Sequence, residues 1–497
     1  VKDADLGEIV GYVHAKATVA ENTPENVELT HKVNSVEELN NAVEGAFVTL
    51  GAGVYDLTND VTINNKPVQV KEGEVVINGT DYTITAGSTG DYAFITDGAN
   101  SSLVIDAKVA SLGGGVAAAN GAKVEFNGQG VDISKYTKSS PARYNIYASR
   151  GGEIVINSGT FKFNSTNNTR RSYVCVEAGG KVIINGGTFG KASTRDGYTG
   201  IRVLDAQSEV IITGGTFGFD PSAWVAAGYT AKKDDATQTW TVVPLTNDNL
   251  KDAVAVAGAT VKIAAGEYAF PKTIAEGVNI VCEPGTVFTG SANLNIKTAS
   301  VEGATFKNEN GSVVNSGSIS GTYKNCVFEG KNAFRYGYAG ESLVFEDCTF
   351  RETADEWVFH FDGASTGVTN ASIICRRCTF DGDRVAIAGS VKSLVMEDCD
   401  FINGSYFNSY CNSEYTGCDF NTSVRPLAAH HKYTDCTIKG SALSVSNLKL
   451  YKGYDCTLNI DGVAYTYDAD GDGLVKNAEG AVVAWHRGIL ADALAAA

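Results

Sequence analysis

The most complete chemical motif lies near the C-terminus. Residues 468–479 read DADGDGLVKNAE, with carboxylates at loop positions one, three and five (Asp468, Asp470, Asp472), Gly473 at six, Val475 at eight and Glu479 at twelve. An EF-hand-type calcium loop needs alternate oxygens that converge, a glycine at the sharp turn and a last Glu that binds bidentately, with a carbonyl, here that of Leu474, as a further ligand. Lys476 at position nine departs from that pattern, and residues 463–467 read as a strand, so the expected arrangement is strand–loop–helix, with residues 478–497 as the helix. The competing reading is a solvated acidic turn. A calcium ion here would be structural, because no reacting group accompanies it.

Catalytic signals are weaker. Asp381-Gly-Asp383 sets two carboxylates on one strand face, with Asp362 and Arg384 near in sequence, a set suited to acid–base work on a glycan. The same residues on an outer face would only solubilise the chain, so no catalytic residue is assigned. Cys375 and Cys378 form a pair without a second pair at zinc-site spacing, and strand alternation is expected to point them to opposite faces. The same alternation separates His430 from His431. Tyr336, Tyr338, Trp357, Tyr406 and Tyr410 recur along the second half. On one face they would form a stripe for stacking on sugars; a subunit interface or the core would use them equally well.

Repeats supply the elements that must position these groups. Residues 151–161 read GGEIVINSGTF, 179–189 GGKVIINGGTF and 207–217 QSEVIITGGTF, a step of 28 residues. Each unit is a short apolar strand, a Gly/Asn corner that accepts positive φ, and Thr-Phe. Such strands cannot bury themselves singly, but stacked copies share one core. In the second half Cys326, Cys348, Cys378, Cys399, Cys418, Cys436 and Cys456 follow one another at 22, 30, 21, 19, 18 and 20 residues, each two positions before an apolar residue. Steps near 20 fit one turn of a solenoid whose identical inward residues form ladders. The longest lateral loop is expected at residues 357–371. The thiols are expected to be buried and unpaired, acting as small hydrophobes, which fits folding in a reducing compartment.

Both halves open with a capped helix, at residues 35–43 and 246–254, leading into a strand. Two caps imply two solenoids, the first closed by a strand pair around residues 229–243. The expected division is an anchor segment 1–33, a first β-helix 34–243, a second 244–460 and an appendage 461–497. Net charge is −17, from 40 basic and 57 acidic residues, which argues against a nucleic-acid partner. No apolar run reaches the length of a membrane span, and residues 1–30 lack the pattern of a secretory leader.

The rungs and caps resemble the parallel β-helix (pectate-lyase-like) superfamily over about residues 35–460. Within it the chain looks most like bacteriophage fibre and spike proteins and repetitive surface proteins of gut bacteria, which share the Gly-Gly-Thr-Phe rungs and the closing Gly-Tyr…Trp-Thr-Val segment. The resemblance implies an all-β chain of two right-handed parallel β-helices. It further implies an attachment role: a homotrimeric virion fibre or spike, folded in the host cytoplasm, anchored to a particle by its N-terminal segment and binding a host surface or glycan. The alternatives are a bacterial cell-surface adhesin and a polysaccharide lyase or glycoside hydrolase.

Overall fold

The computed structural model describes residues 15–18, 28–33, 35–40, 47–63, 67–87, 91–136, 143–164, 171–192, 199–292, 294–354, 356–361, 372–387, 391–451, 453–468 and 474–485. They are nearly all β, arranged as solenoid-like stacks of parallel strands. The chain divides into two compact units, Val1–Pro244 and Leu245–Ala497.

In the first unit each strand from Phe47–Leu50 to Thr216–Gly218 pairs in parallel with the third one before or after it, which builds three sheets, one for each side of the coil. The 28-residue repeat places Ile154, Val182 and Val210 in one register column and Phe161, Phe189 and Phe217 in another. The strands Glu153–Ile156, Lys181–Ile184 and Glu209–Ile212 bury their second and fourth residues, the alternation expected of a half-buried strand. The three phenyl rings stack at 4.6 and 4.9 Å between centroids, close to the strand spacing that sets the coil rise. Outside, Asn157 donates to Asn127 at 2.8 Å and Asn185 to Asn157 at 2.9 Å. Tyr229–Asp234 and Thr239–Pro244 pair antiparallel, and the latter caps Thr216–Gly218. At the other end, Glu28–Val33 pairs with Phe47–Leu50, so the sheet already begins inside the segment expected to be only an anchor. The helix Val36–Asn40 is capped by Ser35, whose Oγ accepts the Glu38 N–H at 3.2 Å.

The second unit opens on the helix Asn247–Ala253, where Asn249 Oδ1 accepts the Thr246 N–H at 2.7 Å. Its core is a column of rings: Phe306, Phe328, Phe350, Phe380, Phe401 and Phe420 stack with successive centroids 4.7 to 5.1 Å apart and planes within 10°. All eleven cysteines of the chain are buried and none is in a disulfide. The residues before them explain why Asn and Asp recur there. Asn325, Asp347, Asp398 and Asp435 sit at φ between 51° and 55°, the left-handed corner that short polar side chains tolerate best. That corner turns the following Cys inward. Arg377, at φ 50°, does the same between Cys375 and Cys378. Both are therefore buried on the inside, and the expected opposite orientation is corrected, because a corner rather than a continuous strand separates them.

Two further expectations change. Trp357–Phe361 is a strand, so the proposed loop does not begin at residue 357; residues 362–371 lie outside the described set. The helix expected from residue 478 does not start there either. Leu474–Asn477 and Val482–Trp485 form an antiparallel hairpin. Gly480, at φ 81°, donates to the Asn477 carbonyl at 2.9 Å, and the β-branched Val475, Val482 and Val483 favour extended backbone.

Candidate functional site

The outward side of four successive coils in the second unit gathers planar and cationic groups. The strands Trp357–Phe361, Arg384–Ile387, Tyr406–Ser409 and Ser423–Pro426 pair in parallel. One outward column runs Trp357, Arg384, Tyr406, Ser423; the next runs His360, Ala386, Asn408, Arg425. Trp357 and His360 are three residues apart, yet both face out. An irregularity between Trp357 and Phe359 lets Val358 and Phe359 both turn inward, the re-aiming that a β-bulge performs.

The groups touch along the columns. Trp357 and His360 stack at 4.2 Å between centroids with an 18° interplanar angle, and Tyr406 meets Trp357 edge-on at 6.1 Å. Arg384 lies 5.9 Å from the Trp357 ring. Arg425 lies over Tyr406 at 4.4 Å and 5.5 Å from the ring of Tyr451, contacts of about 0.5–2 kcal/mol each. Tyr410 packs edge-on against Tyr454 at 5.6 Å. Ala386 is a small floor between His360 and Asn408.

The arginines differ in their partners. Arg351 holds Glu329 and Asp381, Arg376 holds Glu346 and Glu397, Arg377 holds Asp347 and Arg384 holds Asp383. The Arg377 guanidinium keeps the Asp347 carboxyl below its usual range. Arg425 makes no ion pair among the described residues. Its Nε and the Oδ1 of its register neighbour Asn408 are both buried, and neither has a hydrogen-bond partner there.

The residues singled out from sequence are dispersed. Asp381 accepts from Arg351 at 3.2 Å and Asn403 at 2.7 Å, and Asp383 accepts from Arg384 at 2.8 Å; each carboxylate is tied to its own cation. Asp362 lies outside the described residues. Tyr336 and Tyr338 belong to the strand Val327–Glu346, with side chains outside the described set. Trp357 and Tyr406 come together on the outward face. His430 is exposed and His431 buried, as alternation requires. Burial pushes the His431 imidazole down to about 4, and its Nε2 meets the Ala428 carbonyl at 2.5 Å. Of the calcium set, Asp470 and Asp472 lie outside the described residues, Asp468 is exposed, Leu474 opens a strand and Glu479 lies in the following turn. The strand pairs antiparallel with Val463–Tyr467, Asn477 opposite Tyr465, and the residues between Asp468 and Leu474 lie outside the described set.

Arg425, Asn408 and Tyr451 carry much of this face and were not singled out from sequence. Asn408 follows Tyr406 by two residues and shares its face by alternation, so that signal was present. Tyr451 comes from a connection after Val445–Asn447 that belongs to no repeat. No protein-family model and no curated protein matches the chain.

Proposed function

We propose that the chain is an attachment protein whose two units are right-handed parallel β-helices, and whose second unit binds a surface glycan through the face around Trp357, Tyr406 and Arg425. The observation that carries this reading is the pair of outward columns on a parallel sheet, with planar side chains at Trp357, His360, Arg384, Tyr406, Asn408 and Arg425. Indole and phenol rings present apolar faces to the C–H surfaces of sugars and keep a polar edge in water. Parallel strands about 4.8 Å apart hold those rings at fixed intervals, which suits a linear polymer. The neighbouring carboxylates are engaged by arginines, an arrangement that favours holding a ligand over cleaving one. The eleven unpaired, buried thiols fit folding in a reducing compartment. The form proposed with this function is a homotrimeric virion fibre or spike anchored through its N-terminal segment; a bacterial cell-surface adhesin would use the same face.

A glycan array probed with the full chain tests the reading. Retention on a defined set of oligosaccharides, without shortening of the polymer, supports it. Release of small products from a retained polysaccharide would turn the assignment to a lyase or hydrolase. Sedimentation velocity tests the trimer directly.

A further inference from the structure

Arg425 is anomalous in its surroundings. The chain carries 57 acidic against 40 basic residues, and the arginines at 351, 376, 377 and 384 each hold a carboxylate. Arg425 holds none among the described residues, although it is fixed in place by Tyr406 at 4.4 Å and Tyr451 at 5.5 Å. Beside it in register is Asn408. A buried donor, Arg425 Nε, and a buried acceptor, Asn408 Oδ1, are thus neighbours, and neither satisfies the other or finds a partner among the described residues. Leaving such groups unpaired is destabilising, and a ligand that supplies both partners relieves it.

We propose that Arg425 and Asn408 form a subsite for an anionic sugar, one that carries a carboxylate or sulfate beside a free hydroxyl; this rests on the reading of the outward face as glycan-binding. The chemistry is specific on both sides. A guanidinium whose faces lie against aromatic rings keeps its N–H edge for a ligand, and that planar fork matches the paired oxygens of a carboxylate or sulfate. Asn408, whose Oδ1 is buried in the unliganded face, turns its amide toward the ligand to accept from the adjacent hydroxyl. Ala386, small and buried, lies between Asn408 and His360 in the same column, so one strand separates the subsite from the stacked Trp357 and His360 rings. The acidic chain as a whole repels polyanions, so charge selectivity at this face has to come from a local cation, and of Arg384 and Arg425 on these strands Arg425 is the one without an ion pair among the described residues.

The test is calorimetry on the full chain with three hexasaccharides: a polyuronate, the same oligomer as its uncharged methyl ester, and a sulfated galactan. One of the two anionic probes is expected to bind at least about tenfold more tightly than the ester, and which one identifies the anion. Arg425→Gln is expected to erase that preference, weakening the anionic probe at least about tenfold more than it weakens the ester, and Asn408→Ala to weaken the anionic probe severalfold. Arg425→Lys keeps the charge and the stem without the fork, and is expected to fall between wild type and Arg425→Gln; it serves where the Gln variant melts early. Equal binding of the charged and uncharged oligomers, or a preference that survives Arg425→Gln, overturns the subsite but leaves the glycan reading standing. Binding of none of the three removes both.

Discussion

The two units turn the corner before their buried phenylalanines with different residues at different φ. In the first, Gly159, Gly187 and Gly215 sit at φ 104°, 99° and 104°. Glycine is required there twice over: a Cβ on Gly187 would also lie 3.1 Å from the Gly159 carbonyl oxygen and 3.2 Å from the Phe161 ring. In the second, Asn325, Asp347, Arg377, Asp398 and Asp435 make the corner and a buried cysteine follows. Each of these thiols reaches carbonyls, as Cys348 Sγ does to Tyr323 of the preceding coil at 3.4 Å and to Glu346 at 3.3 Å. The lesson concerns tolerance. A glycine corner is held by backbone lying against backbone; the three at 159, 187 and 215 recur every 28 residues, while earlier coils of the same unit step by 21 (Leu103 to Val124) and 30 (Val124 to Ile154). A cysteine corner is pinned locally by its own buried thiol, so the remainder of the coil varies from 18 to 30 residues.

The largest expected effect tests what the units share. Phe189→Ala in the first and Phe380→Ala in the second should each cost about 3–5 kcal/mol in urea denaturation, because each removes a ring stacked on both sides. A cost below about 1 kcal/mol in either would mean that its ring column is not the core of that unit.

The corners should then separate the units. Gly187→Ala should cost about 1–2 kcal/mol from backbone strain alone. Asp347→Gly should stay within about 0.5 kcal/mol, since its pair with Arg377 is solvent-exposed and contributes little. Equal costs would dissolve the distinction.

Titration sharpens the contrast further. Burial pushes Cys282 and Cys456 of the second unit from 9.0 up to about 12, so the folded state keeps protons that the unfolded state releases. Their contribution is complete below about pH 9 and is lost as pH rises toward 12. His431 runs the other way: held down from 6.5 to about 4 by burial, it contributes fully above about pH 6.5 and loses that contribution as pH falls toward 4. Melting temperature against pH should show a plateau from about pH 7 to 8.5 with a decline on both sides, and His431→Gln should flatten the acid limb. An unaltered acid limb in that variant would contradict the burial of a neutral imidazole.

The smallest effect concerns calcium. A twelve-residue calcium loop needs Glu479 to return to Asp468, whereas the strand Leu474–Asn477 pairs Asn477 with Tyr465. Millimolar calcium should therefore move the melting temperature by less than about 1 °C. A rise of several degrees that Asp470→Ala abolishes would restore the loop.

Much of the fold could be read from the repeats, because a buried ladder demands the same residue at each coil. Val182 and Phe189 announce their neighbours 28 positions away, and the Asp–Cys pairs announce their corners. What escaped was non-periodic. The hairpin after residue 474 depends on Val475 pairing with the buried Tyr467, a contact that no repeat encodes, and the acidic spacing of residues 468–479 resembled a loop motif more strongly than it resembled a hairpin. The outward face was half legible. Trp357 and Tyr406 stood out as exposed-type aromatics, whereas Arg425 gains its meaning only from Tyr451, which arrives through an irregular connection, and from the carboxylate it lacks among the described residues.

The claim that the second unit holds a glycan through its outward face is tested most directly by comparing the full chain with its Trp357→Ala/Tyr406→Ala variant on the same glycan array. The account predicts a loss of at least about tenfold in apparent affinity for the retained oligosaccharides, with the circular dichroism spectrum unchanged. Undiminished binding by the double variant would contradict it.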